Sequence, residues 1–313
     1  MKKTAYVIET VCVFAVTLLM ILFLNKLTRP VNTDTTAATI AAFHELPENS
    51  LDVICYGSSH MWKGLDTGLL NNKYGISCYN YGCNWQHINT TRLFVEDSLM
   101  TQKPKIALID TWKFNAVIRD APLNGEVYYT KYLNKTPSLM RYLSQCFGTD
   151  LEKYLAYAMP VAVFHDNWKN TSLRSFQPVT MEKETFLESR GFNSKSQVGE
   201  VTIPDVSTFP QKALSERATA ELDYITGLLQ RQGTQIIFIT IPFTKEFKYL
   251  NAIEEYAVQH GIVHLNMFNY LEEAGIDGSA DFFDEGHLND SGAAKVADFV
   301  GRYLTENCGD ILF

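Results

Sequence analysis

Apolar and polar positions along the chain fall into three regimes. From residue 5 to residue 24 the chain is largely apolar, interrupted by Glu9 and Thr10, and residues 11–24 carry no charge. That stretch has about the 20 residues a helix needs to cross a bilayer. In the second regime short apolar runs alternate with amphipathic stretches. Strands are predicted at 51–56, 77–81, 104–110, 234–242 and 262–267, and helices at 64–72, 89–100, 215–232, 245–260 and 291–307. The 104–110 run, opened by a proline and closed by polar residues, has the pattern of a parallel strand buried on both faces. In 215–232, Leu222, Ile225, Leu228 and Leu229 follow a 3-4 spacing, and Gly233 is the stop signal. A short helical turn is expected at 268–274 and a loop at 281–289. The third regime, 114–213, holds many aromatics and no strong strand pattern; helices are predicted at 138–146 and 151–158, and 166–210 reads as loop. Strands alternating with amphipathic helices imply parallel crossovers, hence an α/β fold built as a three-layer α/β/α sandwich of flavodoxin-like type. The 114–213 stretch is an insertion in it, serving as a lid and docking surface or as a packed subdomain.

The flanks of the first regime add orientation. Lys2 and Lys3 precede it, and Lys26 and Arg29 follow. With the α-amino group, the first pair places the N-terminus on the cytoplasmic side. No A-x-A site follows directly, so a retained single-pass anchor over residues 1–29 is expected, with a cleaved signal as the alternative. Residues 30–48, rich in Thr, Ala, Asn and Pro, read as a stalk with a short helix around 37–43, leaving 49–313 as the extracytoplasmic domain.

Composition is that of an ordinary globular protein, 46% hydrophobic and 20% charged over 313 residues. A net charge of -8 argues against a nucleic-acid surface, which needs clustered Lys and Arg. Six cysteines, none in CxxC, give no metal-site spacing. Free buried thiols are expected, with a Cys78–Cys83 disulfide kept open.

In an open parallel sheet, functional groups gather where strands end and helices begin. Gly57-Ser58-Ser59-His60 follows the first predicted strand, Gly82-Cys83-Asn84 the second, and Asp284-Glu285-Gly286-His287 precedes the last helix. A serine needs a base within reach, and the base an acceptor that fixes its tautomer. Ser59 is therefore the candidate nucleophile, His287 the base and Asp284 the orienting acid, with Asp281 or Glu285 as replacements for the acid. Oxyanion donors are sought in the backbone N–H groups of Ser59 and Gly82 and in Asn84 or Asn115. His60 and Trp112 are candidate pocket walls, and His165 and Trp168 are candidates to line the site from the insertion. His264 lies inside a predicted strand and is expected in the core.

This combination resembles the SGNH/GDSL hydrolase superfamily. The serine of the first block corresponds to Ser59, the glycine of the second to Gly82, and the Asp-x-x-His of the fifth to Asp284 and His287. The anchor, the Gly-Ser-Ser opening and the long insertion are similar to the membrane-anchored envelope branch, which includes D-alanyl-lipoteichoic acid biosynthesis and alginate O-acetyltransferase-like proteins. The resemblance implies a serine esterase or O-acyltransferase without metal or organic cofactor. It further implies an acylated glycan, polyol or teichoic-acid-like substrate, and a membrane-bound acyltransferase as partner. Ser58 replaces the first-block aspartate, and no asparagine stands in 109–113, where the third block would supply one. The second departure favours a rival expectation, a non-catalytic envelope protein that docks an acyltransferase or polysaccharide machine.

Overall fold

The structure, a computed structural model, describes residues 2–117, 125–170 and 173–313; the pieces of the insertion at 118–124 and 171–172 lie outside the described residues. In chain order it runs α1 (Lys2–Thr28), α2 (Asp34–His44), β1 (Val53–Tyr56), α3 (Ser59–Gly64), α4 (Thr67–Tyr74), β2 (Cys78–Asn80), α5 (Ile88–Ser98) and β3 (Ile106–Asp110). The insertion follows, with α6 (Glu126–Tyr129), α7 (Pro137–Phe147), α8 (Leu151–Ala158), α9 (Leu173–Phe176) and α10 (Lys183–Glu188). Alternation resumes with α11 (Glu216–Arg231), β4 (Gln235–Thr240), α12 (Leu250–Gln259), β5 (Val263–Asn266), α13 (Leu271–Ala274), β6 (Phe282–Asp284), β7 (His287–Leu288) and α14 (Asp290–Leu312).

Five strands form a parallel sheet in the order β2-β1-β3-β4-β5. The winding direction reverses between β1 and β3, and in open α/β sheets the crevice for function lies at that point. Period-2 side chains feed two cores. Ile54 and Tyr56, Ala107 and Ile109, and Ile236 and Phe238 join Phe94 of α5 and Leu222, Ile225 and Leu229 of α11. Val53 and Cys55, Ile106 and Leu108, and Ile237 and Ile239 join Leu70 of α4 and Val296, Val300 and Leu304 of α14. Apolar side chains on both faces of each strand explain why these strands read as unbroken apolar runs.

Four expectations are revised or resolved. Residues 30–48 are no stalk: α2 buries Ala37, Ala38, Ile40, Ala42 and Phe43, and the Phe43 ring stacks on Tyr81 at 4.0 Å. The Tyr79 hydroxyl donates to the Thr39 carbonyl (2.8 Å), so a Thr/Ala-rich stretch that reads as solvated is instead a close-packing helix. Cys78 and Cys83 form no disulfide, because they feed opposite cores; the six cysteines are thiols, as expected, and five of them are buried. Helix α12 begins at Leu250 rather than 245, because the loop before it inserts Phe243 and Phe247 beneath Trp112. The expected loop at 281–289 contains the short antiparallel pair β6–β7, which holds Asp284 opposite His287.

Part of the insertion is packed core: Tyr142, Leu143 and Phe147 of α7 and Phe186 of α10 lie in the first cluster. Helix α1 is long and apolar enough to span a membrane, and its Thr4–Thr28 stretch is exposed over most of its length.

Candidate active site

The turn after β1 depends on Gly57. Its φ of +150° is one L side chains rarely adopt, and a Cβ there would lie 2.4 Å from the Cβ of Asp110. That close approach lets the end of β1 touch the end of β3. Ser58 caps α3, accepting from the His60 N–H (3.3 Å), and its own hydroxyl donates to Asp110 Oδ2 at 2.9 Å. Burial pushes the Asp110 carboxyl up to about 6, against hydrogen bonds from Ser58 and the Trp112 N–H. Gln86, fully buried, holds the turn from the other side: its Oε1 accepts from the Gly57 N–H (2.7 Å), and its Nε2 donates to the Tyr81 carbonyl (3.0 Å).

Ser59 is the first residue of α3, half-buried at the crevice. Its Oγ lies 2.8 Å from His287 Nε2, and His287 Nδ1 lies 2.8 and 3.0 Å from the two carboxylate oxygens of Asp284. An ionised carboxylate only accepts, so Nδ1 carries the proton and Nε2 is left to accept from the serine hydroxyl. Asp284 is fixed in turn by the Gly286 N–H (2.7 Å). Burial would raise the Asp284 carboxyl, but that N–H, His287 and Lys63 bring it below the usual range. Burial, joined by Lys63, holds His287 below the ordinary histidine value although Asp284 pulls the other way. A neutral imidazole facing a hydroxyl is the state a general base requires.

His287 Nδ1 faces Asp284 and neither alternative for the acid. Asp281 is fully buried and tied to Ser291 and Lys295, and the Glu285 side chain is exposed. His60 is buried beside the triad. It stacks on Trp112 at 4.5 Å and meets His287 edge-on at 5.4 Å, so both expected wall residues stand at the site. Burial first, then the positive fields of His287, Lys113, Lys245 and Lys63, holds His60 well below its ordinary value.

The oxyanion donors are only partly as expected. Ser59 N–H occupies the first helical position, where no intrahelical acceptor exists. Gly82 sits at the same edge, but its N–H donates to Asn80 Oδ1 (3.1 Å). Asn80 Nδ2 in turn donates to the carbonyls of Met61 and Leu65, so Gly82 belongs to a clamp on α3. A Cβ on Gly82 would fall 2.9 Å from Asn80 Oδ1 and 3.1 Å from the Gly57 carbonyl; it is glycine for packing. Asn115 is engaged elsewhere, its Oδ1 accepting from the Ser215 N–H (2.7 Å). Asn84 remains, lining a cleft of about 540 Å³ beside α3 with Trp62, Lys63, Phe186 and Lys195.

His165 and Trp168 are not at this edge. They lie on a 3-10 segment, His165–Asn170, that packs against α1, and both are exposed. A segment between a sheet strand and its next helix gave no sequence sign of folding back toward the anchor. Sequence reasoning also missed Asp110 and Gln86. Asp110 had a signal, a carboxylate closing an all-apolar strand, whereas Gln86 had none. Among the described residues, no group of three or more His, Cys, Asp or Glu could hold a metal ion.

No protein-family model matches this chain, and no curated protein matches it.

Proposed function

We propose that this chain is an extracytoplasmic, membrane-anchored serine acyl-transfer enzyme of SGNH type, an O-acyltransferase or esterase. The reading takes the body as a three-layer, flavodoxin-like sandwich and α1 as a single-pass anchor with its N-terminus in the cytoplasm. The observation that carries it is the unbroken chain Ser59–His287–Asp284, with 2.8 Å at each link, drawn from segments 228 residues apart.

Ser59 Oγ attacks the ester carbonyl as its proton passes to His287 Nε2. The C–O bond to the leaving alcohol then breaks, and His287 returns the proton to that oxygen. The acyl-serine is resolved when water, or a sugar or polyol hydroxyl, gives its proton to His287 and attacks the same carbonyl; the bond to Ser59 Oγ then breaks, and His287 returns the proton to that oxygen. Asp284 stays ionised throughout and stabilises the transient imidazolium.

An acylated envelope glycan or teichoic-acid-like polymer is the proposed substrate. Its support is the cleft of about 540 Å³ beside α3, which bears Lys63 and Lys195. Among the described residues neither lysine has a carboxylate at ion-pairing distance, and burial together with Lys195 lowers the Lys63 ammonium. Such a pair favours an anionic occupant in a protein of net charge -8.

A second reading, a docking protein for a membrane acyltransferase with no reaction of its own, is favoured by one observation. The Gly82 N–H is engaged by Asn80, which leaves the oxyanion site short of a donor. A fluorophosphonate probe applied to the full-length protein separates the two. Labelling of wild type and none of Ser59→Ala is expected; equal labelling of both would sink the enzyme reading.

A further inference from the structure

From Thr4 to Phe23 helix α1 is exposed, with only Ile21 half covered; from Leu24 on, burial sets in at all but Lys26, and Thr28 and, just past the helix, Arg29 are buried. Twenty helical residues rise about 30 Å, the thickness of a bilayer's hydrocarbon core. The bare part of α1 therefore matches that core, and the part where burial begins corresponds to the headgroup level. What covers it is the insertion. The turn Pro160–Ala162, the segment His165–Asn170 and α9 all pack against α1. Specific bonds fix the level: Val161 N–H donates to Asn25 Oδ1 (3.0 Å), Asn167 Nδ2 to the Thr28 carbonyl (2.9 Å), and Arg29 to the Gln177 carbonyl (3.2 Å).

The same elements turn large apolar side chains outward. Trp168 is 59% exposed, Leu173 85% and Phe176 51%. Helix α8, which packs on the Pro160–Ala162 turn, adds Leu151 and Leu155, with Met159 just beyond its end. Their spacing of four puts the three on one face. A soluble surface seldom gathers so many exposed apolar groups without a partner. Trp with neighbouring Lys, here Trp168 and Lys169, is the composition of a membrane–water interface.

We infer that residues 151–170 and 173–176 form a collar at the outer end of α1 that rests in the headgroup region of the bilayer. The lipid surface is thus the occupant of its exposed apolar face, and the Ser59 crevice is held at a fixed height above it. The inference rests on α1 spanning the membrane, and the test separates the two. The full-length protein is placed in phosphatidylcholine nanodiscs, with acyl chains either plain or brominated near the headgroup. Tryptophan emission and resistance to alkaline carbonate extraction from vesicles of the same lipid are then read.

Brominated lipid is expected to quench a component equal to the share of one tryptophan in four, and Trp168→Phe to abolish that quenching. Trp62 is buried and Trp112 half-buried at the sheet edge, and Trp85, 63% exposed, stands by Lys113, so quenching of any of these three would survive Trp168→Phe. A protein retained after carbonate extraction whose quenching is absent, or unchanged by Trp168→Phe, overturns the collar and leaves the anchor standing. That is also the result if a protein partner, absent from the discs, is what the face was built for. Release by carbonate overturns the anchor and the collar with it.

Discussion

Two chains of hydroxyl, imidazole and carboxylate cross the C-terminal edge of this sheet. In one, Ser59 Oγ, His287 and Asp284 are linked at 2.8 Å and 2.8 Å. In the other, Thr240 Oγ1 lies 2.8 Å from His264 Nε2, and His264 Nδ1 lies 2.5 Å from Glu254. By distance alone they are equivalent. They differ in what else the hydroxyl touches. Thr240 is fully buried and also meets the Thr111 hydroxyl at 2.6 Å, so its two partners saturate it and tie the ends of β3, β4 and β5 together. Ser59 Oγ meets the imidazole alone, and the residue is only partly buried. An unsaturated hydroxyl with access fits the proposed nucleophile, and a saturated one without it fits a stitch.

Substitutions of the two carboxylates separate the pair most widely. Asp284→Asn should lower turnover of an activated aryl ester about 10⁴-fold, because the amide no longer holds the tautomer that leaves Nε2 free. Glu254→Gln should leave that turnover as it is. Equal losses in both would erase the distinction.

Titration gives the next contrast. His287 must be neutral to act, so kcat/KM should rise about tenfold per pH unit and level off at a midpoint below the ordinary value of about 6.5. Since Asp284 raises that pKa, Asp284→Asn should move the midpoint lower still. Burial also depresses His264, against the pull of Glu254, but its titration should register in stability. A folded-state pKa below the unfolded one gives stability that is present above about 6.5 and lost as pH falls below it. Melting at pH 7.5 and at pH 5 in wild type and in His264→Gln would expose that difference; parallel shifts would contradict it.

The smallest effect is expected from Thr240→Val. It strands the Thr111 hydroxyl and His264 Nε2 and should cost about 1–3 kcal/mol by thermal or denaturant unfolding. Fluorophosphonate labelling of Ser59 should persist in the folded protein.

The residues of the first chain were legible in the sequence, and those of the second were not. Ser59 stands in the turn after Gly57 at a predicted strand end, and Asp284 and His287 flank Gly286 in the loop predicted before the last helix, where the sequence announces an exposed position. His264 and Thr240 lie within apolar strands, and their pairing depends on which strands become neighbours. The sheet itself was readable because apolar runs five residues long survive burial on both faces. Gly82 shows the reverse: its position was legible, but the destination of its N–H depended on Asn80, two residues earlier, turning inward. The role of α2 was hidden because alanine and threonine suit a solvated linker and a closely packed helix alike.

Helix α2 also decides how the protein can search for what it acts on. Arg29 and Asp34, each about 5% exposed, pair at 2.9 Å across the junction between α1 and the body. Breaking such a pair costs roughly 3–5 kcal/mol. Helix α1 is thus joined to the body with no swivel at its base. With α1 spanning a membrane, as proposed, turning it about its axis turns the Ser59 edge of the sheet with it, on a circle rather than through a volume. The reach of that edge would then be set by lateral diffusion in the bilayer plane and by the slack of the proposed polymer substrate.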